Sequence, residues 1–193
     1  MSAPKLILAS ASPRRLELLA RLGVTPLAVN VAAIDETPRK AELPRAYARR
    51  MAGEKAAAGA AAGADAHILA GDTVVALGRR ILPKADDEET ARDCLALLSG
   101  RRHRVFSAVA LKSPEGTLRE RLSETIVRFK PLSKTEIDRY VAGGEWRGKA
   151  GGYAIQGSAE GLIAWISGSH SGVVGLPLFE TRALLVAAGF SLG

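Results

Sequence analysis

The amino-terminal part of the chain carries a short apolar segment that leads almost directly into a helix start. Residues 5–9 (KLILA) have the length and apolarity of a buried strand. Ser12 and Pro13 follow, and these residue types are typical of an N-cap and of the first position of a helix. Because a strand joined to a helix by a short turn is a building unit of α/β folds, we expect a sheet with helices packed against it.

The alternation of strand and helix patterns continues along the chain. Apolar runs predict further strands over 26–31, 67–70, 104–111, 118–129 and 162–166. Helical patterns fit 43–62, 86–99, 133–142 and 177–188, with a loop over 167–175. The longer central strands favour a mixed sheet in an α/β or α+β arrangement. A length of 193 residues without repeats or linkers predicts one domain over 1–193.

Composition and charge exclude several classes of protein. The net charge of +7 would attract polyanions, but the basic residues occur as dispersed pairs, which is more typical of a solvated surface. A nucleic-acid-binding module stays an alternative, although nucleic acid is not the expected partner. The single cysteine excludes an intrachain disulfide and a cysteine-based zinc module. Without an apolar stretch of about 18 residues or a secretory signal, we expect a cytoplasmic protein with no membrane-spanning helix.

The turn after the first predicted strand contains two arginines in an unusual place. Arg14 and Arg15 fall in the first turn of the predicted helix, where the helix dipole disfavours positive charge. A bound phosphate would account for them, because a helix N-terminus presents free N–H groups to an anion. The alternative is an ordinary strand–helix turn with solvated arginines.

Carboxylates and lysines form the second group of candidates. Asp35, Glu36 and Asp72 could together hold Mg²⁺ or Mn²⁺, which prefer oxygen ligands. Asp72 follows the predicted strand 67–70, at the end where ligands of α/β sheets commonly bind. The alternative is a turn-forming aspartate and a solvated acidic pair.

Two lysines also occupy unusual settings. Lys55 continues a helical stripe of Leu43, Tyr47 and Met51, and Lys84 lies just past a predicted strand. A lysine on an inward face needs an anion or must lose its proton. The alternative is that both side chains extend to solvent.

The glycine-rich stretch 145–157 matches neither a Walker loop nor a Rossmann fingerprint. Its glycines permit close backbone approach to a ligand or a mobile lid. Tyr153 could stack on a base and Gln156 could read a base edge, whereas ordinary packing and an ordinary loop amide are the alternatives. The scattered His67, His103 and His170 favour structural or surface roles over a zinc site.

Several segments, in this order, resemble those of the Maf family of nucleoside triphosphate pyrophosphatases. They are SASPRRLELL (10–19), AGDTVV (70–75), PKAD (83–86), LLSGRRHRV (97–105), KAGGYAIQG (149–157) and GVVGLPLFET (172–181). The resemblance implies an elongated α/β fold with a mixed sheet, two lobes around a cleft, a likeness to inosine-triphosphate pyrophosphatases, and a homodimer. Ala85 and His170 depart from the family pattern, which commonly has proline and tyrosine there.

The resemblance also implies an activity. It is hydrolysis of a nucleoside triphosphate to the monophosphate and pyrophosphate with a divalent cation (Mg²⁺, Mn²⁺ or Co²⁺), which keeps non-standard nucleotides out of nucleic acids or restrains cell division. KAGGYAIQG is typical of the branch that prefers dTTP and UTP. The alternatives are a phosphatase that releases inorganic phosphate and a non-enzymatic binding protein.

The family's functional positions match residues of this sequence one by one. The resemblance implies phosphate or substrate binding by Ser10, Arg14, Arg15 and Thr73, base selection by Gln156, metal binding by Glu36 and Asp72, and catalysis by Lys55, Lys84 and Asp72, the last as proton acceptor.

Overall fold

The structure is a computed structural model that describes residues 4–31, 33–59 and 65–193. The strands are β1 (Leu6–Leu8), β2 (Ala28–Val29), β3 (His67–Leu77), β4 (Arg80–Ile81), β5 (Lys84–Ala85), β6 (Arg102–Lys112), β7 (Leu118–Phe129), β8 (Lys149–Ala150) and β9 (Ile163–Ser167). The helices are α1 (Pro13–Ala20), α2 (Pro44–Ala58), α3 (Glu88–Leu98), α4 (Lys134–Ala142), α5 (His170–Val174) and α6 (Leu178–Ala187), and a 3₁₀ helix spans Ser158–Leu162.

A mixed sheet organises the described part of the chain. Its strand order is β2-β1-β3-β6-β7-β9, with β4 paired to β3. β1 is parallel to both of its neighbours. From β3 onward, through β6 and β7 to β9, each strand is antiparallel to the next in the sheet. Strands β5 and β8 form a separate two-stranded sheet. The prediction of a mixed α/β architecture with flanking helices is therefore confirmed.

A gap in the sheet lies along one edge of β3. β6 pairs with one edge of β3 from Ile68 to Ala76. The other edge pairs with β1 only as far as Leu69 and with β4 only from Ala76 onward. Residues 70–74 of β3 therefore have one edge that pairs with no strand of the described ranges.

Helices cover both faces of the sheet around this gap. On one face α2 packs its alanines closely on the strands, because Ala48, Ala52 and Ala56 recur at the helical spacing of four and are fully buried. On the other face, α1 and α6 bury leucines against β1 and β3. Beside them, α3 and α4 form a separate apolar cluster around the fully buried Trp146. The two clusters on this face are the lobes on either side of the gap.

Several predicted boundaries were wrong for reasons that lie beyond local sequence. The strand predicted over 67–70 continues to Leu77, because pairing with β6 extends through Asp72, so the alternative of a turn-forming aspartate was wrong. The strand predicted over 26–31 shrinks to Ala28–Val29, since only these residues register with β1.

The helix predicted over 43–62 ends at Ala58, with 60–62 outside the described residues, and Leu43 is 49% exposed instead of joining the buried stripe. The loop predicted over 167–175 contains α5, which is capped by the Ser169 hydroxyl. Among the helices of the described ranges, none combines the length and apolarity needed to cross a bilayer.

Candidate active site

A cleft of about 360 Å³ opens at the gap in the sheet. It is bounded by the turn before α1, the middle of β3, the segment after β4, and the glycine-rich stretch that includes β8. All nine residues to which the family resemblance assigns a role line this one cleft: Ser10, Arg14, Arg15, Glu36, Lys55, Asp72, Thr73, Lys84 and Gln156. The structure thus brings the candidates together, while their individual roles stay predictions.

An alternating row of charges crosses the cleft. The Lys84 ammonium donates to one carboxylate oxygen of Glu36 at 3.0 Å, and the Lys55 ammonium lies 2.9 Å from the other. Lys55 Nζ also donates to Asp72 Oδ1 at 2.7 Å. Lys55 and Asp72 are both buried, so each supplies the countercharge that a buried ion requires.

The local structure explains how this row forms. Lys55 is part of the buried stripe of α2, as predicted, and points at β3. Asp72 lies in the middle of β3, not after its end as predicted, and reaches the cleft because β1 stops at Leu8. The Tyr47 hydroxyl donates to the backbone carbonyl of Glu36 at 2.7 Å and so fixes the loop that presents this carboxylate to the lysines.

The environment of Glu36 favours its ionised form. Partial burial by itself raises its pKa, but hydrogen bonds from the Lys55 and Lys84 ammonium groups outweigh burial and hold the pKa below the ordinary carboxyl value. Asp35, which the sequence grouped with Glu36, accepts instead from the backbone N–H of Thr37 at the surface and does not line the cleft. The expectation of one acidic group at 35–36 was therefore wrong for Asp35.

The two arginines of α1 are oriented by backbone carbonyls far away in the sequence. Arg15 Nε donates to the Gly175 carbonyl at 2.8 Å, and Arg15 Nη1 donates to Ser10 Oγ at 2.9 Å. Arg14 Nε donates to the Val174 carbonyl at 3.3 Å. Burial lowers the pKa of the Arg15 guanidinium, and the nearby Asp72 carboxylate opposes that shift. The arginines are thus held in place before any anion binds.

Thr73 joins the same network from β3. Its hydroxyl lies 3.1 Å from Ser107 Oγ on the neighbouring strand and donates to the Gly175 carbonyl at 3.4 Å. Gly71 is equally constrained, because a Cβ there would lie 3.2 Å from the Ala108 carbonyl and 3.4 Å from Arg15 Nε. Gly71 thus allows the close approach of the Arg15 side chain to β3.

The glycine-rich stretch forms the opposite wall of the cleft. Its backbone is attached to the β5 region, since Gly148 N–H donates to the Ala85 carbonyl at 2.8 Å and Gly151 N–H to the Pro83 carbonyl at 2.9 Å. Lys149 and Gln156 both line the cleft from this side, and Gln156 is exposed. These hydrogen bonds make the segment a wall, which argues against the alternative of a mobile lid.

The donor set of the cleft fits a divalent cation that is completed by substrate. Across the described ranges, no three His, Cys, Asp or Glu side chains group closely enough to hold a metal by themselves. Two carboxylates, Glu36 and Asp72, nevertheless face the same cleft, and Mg²⁺ is commonly bound by one or two carboxylates together with substrate phosphates. The residues present are therefore compatible with such an ion.

Sequence reasoning missed several groups that either line the cleft or form hydrogen bonds to the side chains that line it. The Val174 and Gly175 carbonyls, Ser107 and Lys149 received no role from the sequence. A carbonyl leaves no trace in a side-chain pattern, and Ser107 looks like any small residue in a strand. Lys149 had a signal that was available, because it is a lysine within the glycine-rich stretch that was already singled out.

Comparisons with known proteins identify the family of the chain. A solved nucleoside-triphosphatase / dITP/XTP pyrophosphatase from Mycobacterium abscessus matches with a TM-score of 0.44 and 21% identity, over 66% of this chain and 75% of that one. A dTTP/UTP pyrophosphatase of Novosphingobium aromaticivorans is 70% identical over 189 residues, or 98% of this chain and 94% of that protein. A dTTP/UTP pyrophosphatase of Rhodospirillum rubrum is 59% identical over 192 residues, or 100% of this chain and 91% of that protein. The family described as Maf-like protein matches residues 5–188, and the chain belongs to this Maf family.

Proposed function

We propose that the protein hydrolyses dTTP and UTP, together with modified pyrimidine nucleotides, to the monophosphate and pyrophosphate. The observation that carries the proposal is the convergence of the Lys84–Glu36–Lys55–Asp72 row with Arg14 and Arg15 in one cleft. Relatives named dTTP/UTP pyrophosphatase, which align over nearly the whole chain, support the choice of substrate.

The charge of the cleft suits a triphosphate. Five cationic side chains and two carboxylates line it, which leaves a clear excess of positive charge. Preorganised cations stabilise charge that develops on a leaving phosphate. In our proposal Arg14 and Arg15 bind the phosphates together with Ser10 and Thr73, while Lys55 and Lys84 stabilise the departing pyrophosphate.

A divalent cation, Mg²⁺, Mn²⁺ or Co²⁺, would be held by Glu36 and Asp72. Bound there, it would polarise the phosphate and lower the pKa of a coordinated water. The chain's own contribution is a countercharge for both carboxylates, because the ammonium group of Lys55 lies within hydrogen-bonding distance of each.

The bond changes of the reaction are those of a direct displacement by water. The water oxygen forms a bond to the α-phosphorus, the bond from the α-phosphorus to the bridging oxygen breaks, and that oxygen leaves with pyrophosphate. The water proton passes to the Asp72 carboxylate, whose Oδ1 already accepts from Lys55. Gln156, on the opposite wall, selects the base through its side-chain amide.

Replacement of Asp72 by asparagine tests the assignment of the base. Asp72→Asn keeps the shape of the side chain but removes its capacity to accept a proton, so we expect kcat to fall by roughly 10²-fold or more. Glu115→Gln is the matched control, because Glu115 is an exposed carboxylate outside the cleft. Near-normal turnover of Asp72→Asn would remove Asp72 from this role.

Assays of the products separate the proposed activity from its alternatives. With dTTP or UTP we expect pyrophosphate and no inorganic phosphate, whereas a phosphatase would release phosphate. A binding protein would instead retain RNA or DNA with a steep dependence on salt, which filter binding at two salt concentrations measures.

The remaining expectations form part of the same proposal. We propose one domain, because the cleft draws on residues from Ser10 to Gly175. The homodimer, the cytoplasmic location, and a role in excluding non-standard nucleotides or restraining division rest on the family resemblance and stay predictions. Light scattering of the purified protein tests the dimer.

A further inference from the structure

A small aromatic cluster lies behind the wall of the cleft that carries Gln156. His103 on β6 is only 2% exposed, and its ring stacks on Phe129 with centroids 5.8 Å apart. The ring of Tyr153 packs edge-on against both, at 5.5 Å from His103 and 5.1 Å from Phe129. Tyr153 also lines the cleft, so it is the member of the cluster that connects core and site.

One buried hydrogen bond joins the two polar members of the cluster. His103 Nε2 lies 2.8 Å from the Tyr153 hydroxyl. The other ring nitrogen, Nδ1, is buried and has no hydrogen-bond partner among the described residues. Burial lowers the pKa of His103 to about 4, so the imidazole is neutral at physiological pH. A buried polar group that keeps a single partner makes that partner's position costly to change.

Two further hydrogen bonds hold the backbone on either side of Gln156. The backbone N–H of Ala154, next to Tyr153, donates to the buried Tyr140 hydroxyl at 2.9 Å. Beyond Gln156, the backbone N–H of Ser158 donates to a Glu145 carboxylate oxygen at 2.8 Å. The segment that presents Gln156 is therefore held on both sides by side chains from outside it.

We propose that His103 is a positioning residue for base recognition, which holds Tyr153 and through it sets the position of Gln156 in the cleft. The inference rests on the proposed function, because it gives the 153–156 wall the task of recognising a pyrimidine base. His103 does not touch the cleft and is uncharged, so it contributes nothing directly to phosphate binding. Its removal should consequently affect the base end of the substrate and spare the phosphate end.

Two substitutions that each remove the hydrogen bond test the inference. His103→Phe keeps a ring in the aromatic cluster, and Tyr153→Phe removes only a hydroxyl. We expect both to raise KM for dTTP and UTP threefold to tenfold, with kcat within about twofold of the parent. Inorganic tripolyphosphate, which has no base, should inhibit parent and variants with equal inhibition constants. The double variant should be no worse than either single one, because both remove the same bond.

His67→Phe is the matched control. His67 begins β3 at the other end of the sheet, where it packs against Phe190, and we expect its KM to equal that of the parent. Circular dichroism of each variant checks folding, and Tyr153→Phe alone suffices should His103→Phe not fold.

The possible results separate the two proposals. An unchanged KM in Tyr153→Phe, or a weakening of tripolyphosphate inhibition in parallel with KM, overturns the role of His103. Failure of the parent protein to release pyrophosphate from dTTP overturns the proposed function instead.

Discussion

Lys55 illustrates how a single residue can organise a site. Its ammonium group is buried and lies within 2.9 Å of two carboxylates that come from separate segments of the chain. Removal of one ion from a buried group of charges leaves its partners without a countercharge. The resulting loss of free energy of unfolding exceeds what the intact ion pair contributes to stability. Lys55 is therefore needed to hold Glu36 and Asp72 side by side before substrate binds.

Lys55→Met keeps the length of the side chain and removes the charge. We expect kcat/KM to fall at least 100-fold. Because Lys55 is one of the two ammonium groups that lower the pKa of Glu36, we also expect the acid limb of the pH profile of kcat/KM to move to higher pH. Pyrophosphate release between pH 3 and 9 measures both effects, because the limb that Glu36 sets in the parent lies below the ordinary carboxyl pKa.

Lys40→Met is the control for this variant. Lys40 is an exposed lysine outside the cleft, and its loss should leave the profile unchanged. An acid limb at the parent's pH in Lys55→Met would contradict the coupling between Lys55 and Glu36.

Helix α5 is only five residues long, yet the carbonyl of its last residue, Val174, and that of Gly175, which follows it, orient both arginines of α1. Gly175, which ends this helix, has a φ of 142°, a backbone conformation that other residues rarely adopt. Within the described ranges, the nearest atom that a Cβ there would meet is Arg15 Cγ, 3.9 Å away. The glycine is thus required by the backbone conformation that aims its carbonyl at Arg15.

Gly175→Ala should therefore damage the site through the backbone. We expect roughly tenfold lower kcat/KM and a loss of about 1–3 kcal/mol in the free energy of unfolding, because the strained conformation is either kept at a cost or relaxed with the carbonyl displaced. Steady-state kinetics and urea denaturation measure the two quantities.

Gly116→Ala separates strain from function. Gly116 has a φ of 91° in the β6–β7 turn and has open space around it, so the same backbone strain arises away from the cleft. We expect a similar loss of stability with normal kcat/KM. Equal loss of activity in both variants would show that the effect of Gly175→Ala is not local.

At the scale of the whole molecule, His103 makes stability depend on pH. Its pKa is lowered from 6.5 to about 4 on folding, so between these values the unfolded chain binds a proton that the folded chain does not. The contribution of neutral His103 to the free energy of unfolding is complete above pH 6.5 and is lost as the pH falls from there through 4. By linkage the loss at pH 5 is about 2 kcal/mol.

Urea denaturation at pH 7.5 and pH 5 measures this effect. The parent should lose about 2 kcal/mol between the two, whereas His103→Phe should have a flatter dependence. In Glu42 and Glu136 the carboxyl pKa is lowered from 4.5 to about 2. The stability that they contribute is therefore lost below pH 4.5, outside the interval between the two measurements. An equally steep dependence in His103→Phe would mean that other groups carry it.

Sequence patterns predicted features whose causes are local. The helix predicted over 133–142 is present and opens with a complete capping box of Ser133 and Glu136, and α1 starts at Pro13 as the Ser-Pro signal indicates. The position of Asp72 within a continuous strand was not predictable in this way, because β6 determines it from more than thirty residues away. Most cleft residues were singled out by their settings in the sequence, and family resemblance added Ser10 and Thr73. The carbonyls behind the arginines were not found, since hydrogen bonds between segments 160 residues apart leave no local pattern.

That separation of 160 residues bears on how the protein is made. While the chain is being translated, Arg14 and Arg15 leave the ribosome long before the carbonyls that orient them exist. Bringing such distant segments together costs chain entropy that only later contacts offset. In a nascent chain the two arginines therefore lack these hydrogen bonds until the segment containing α5 has emerged.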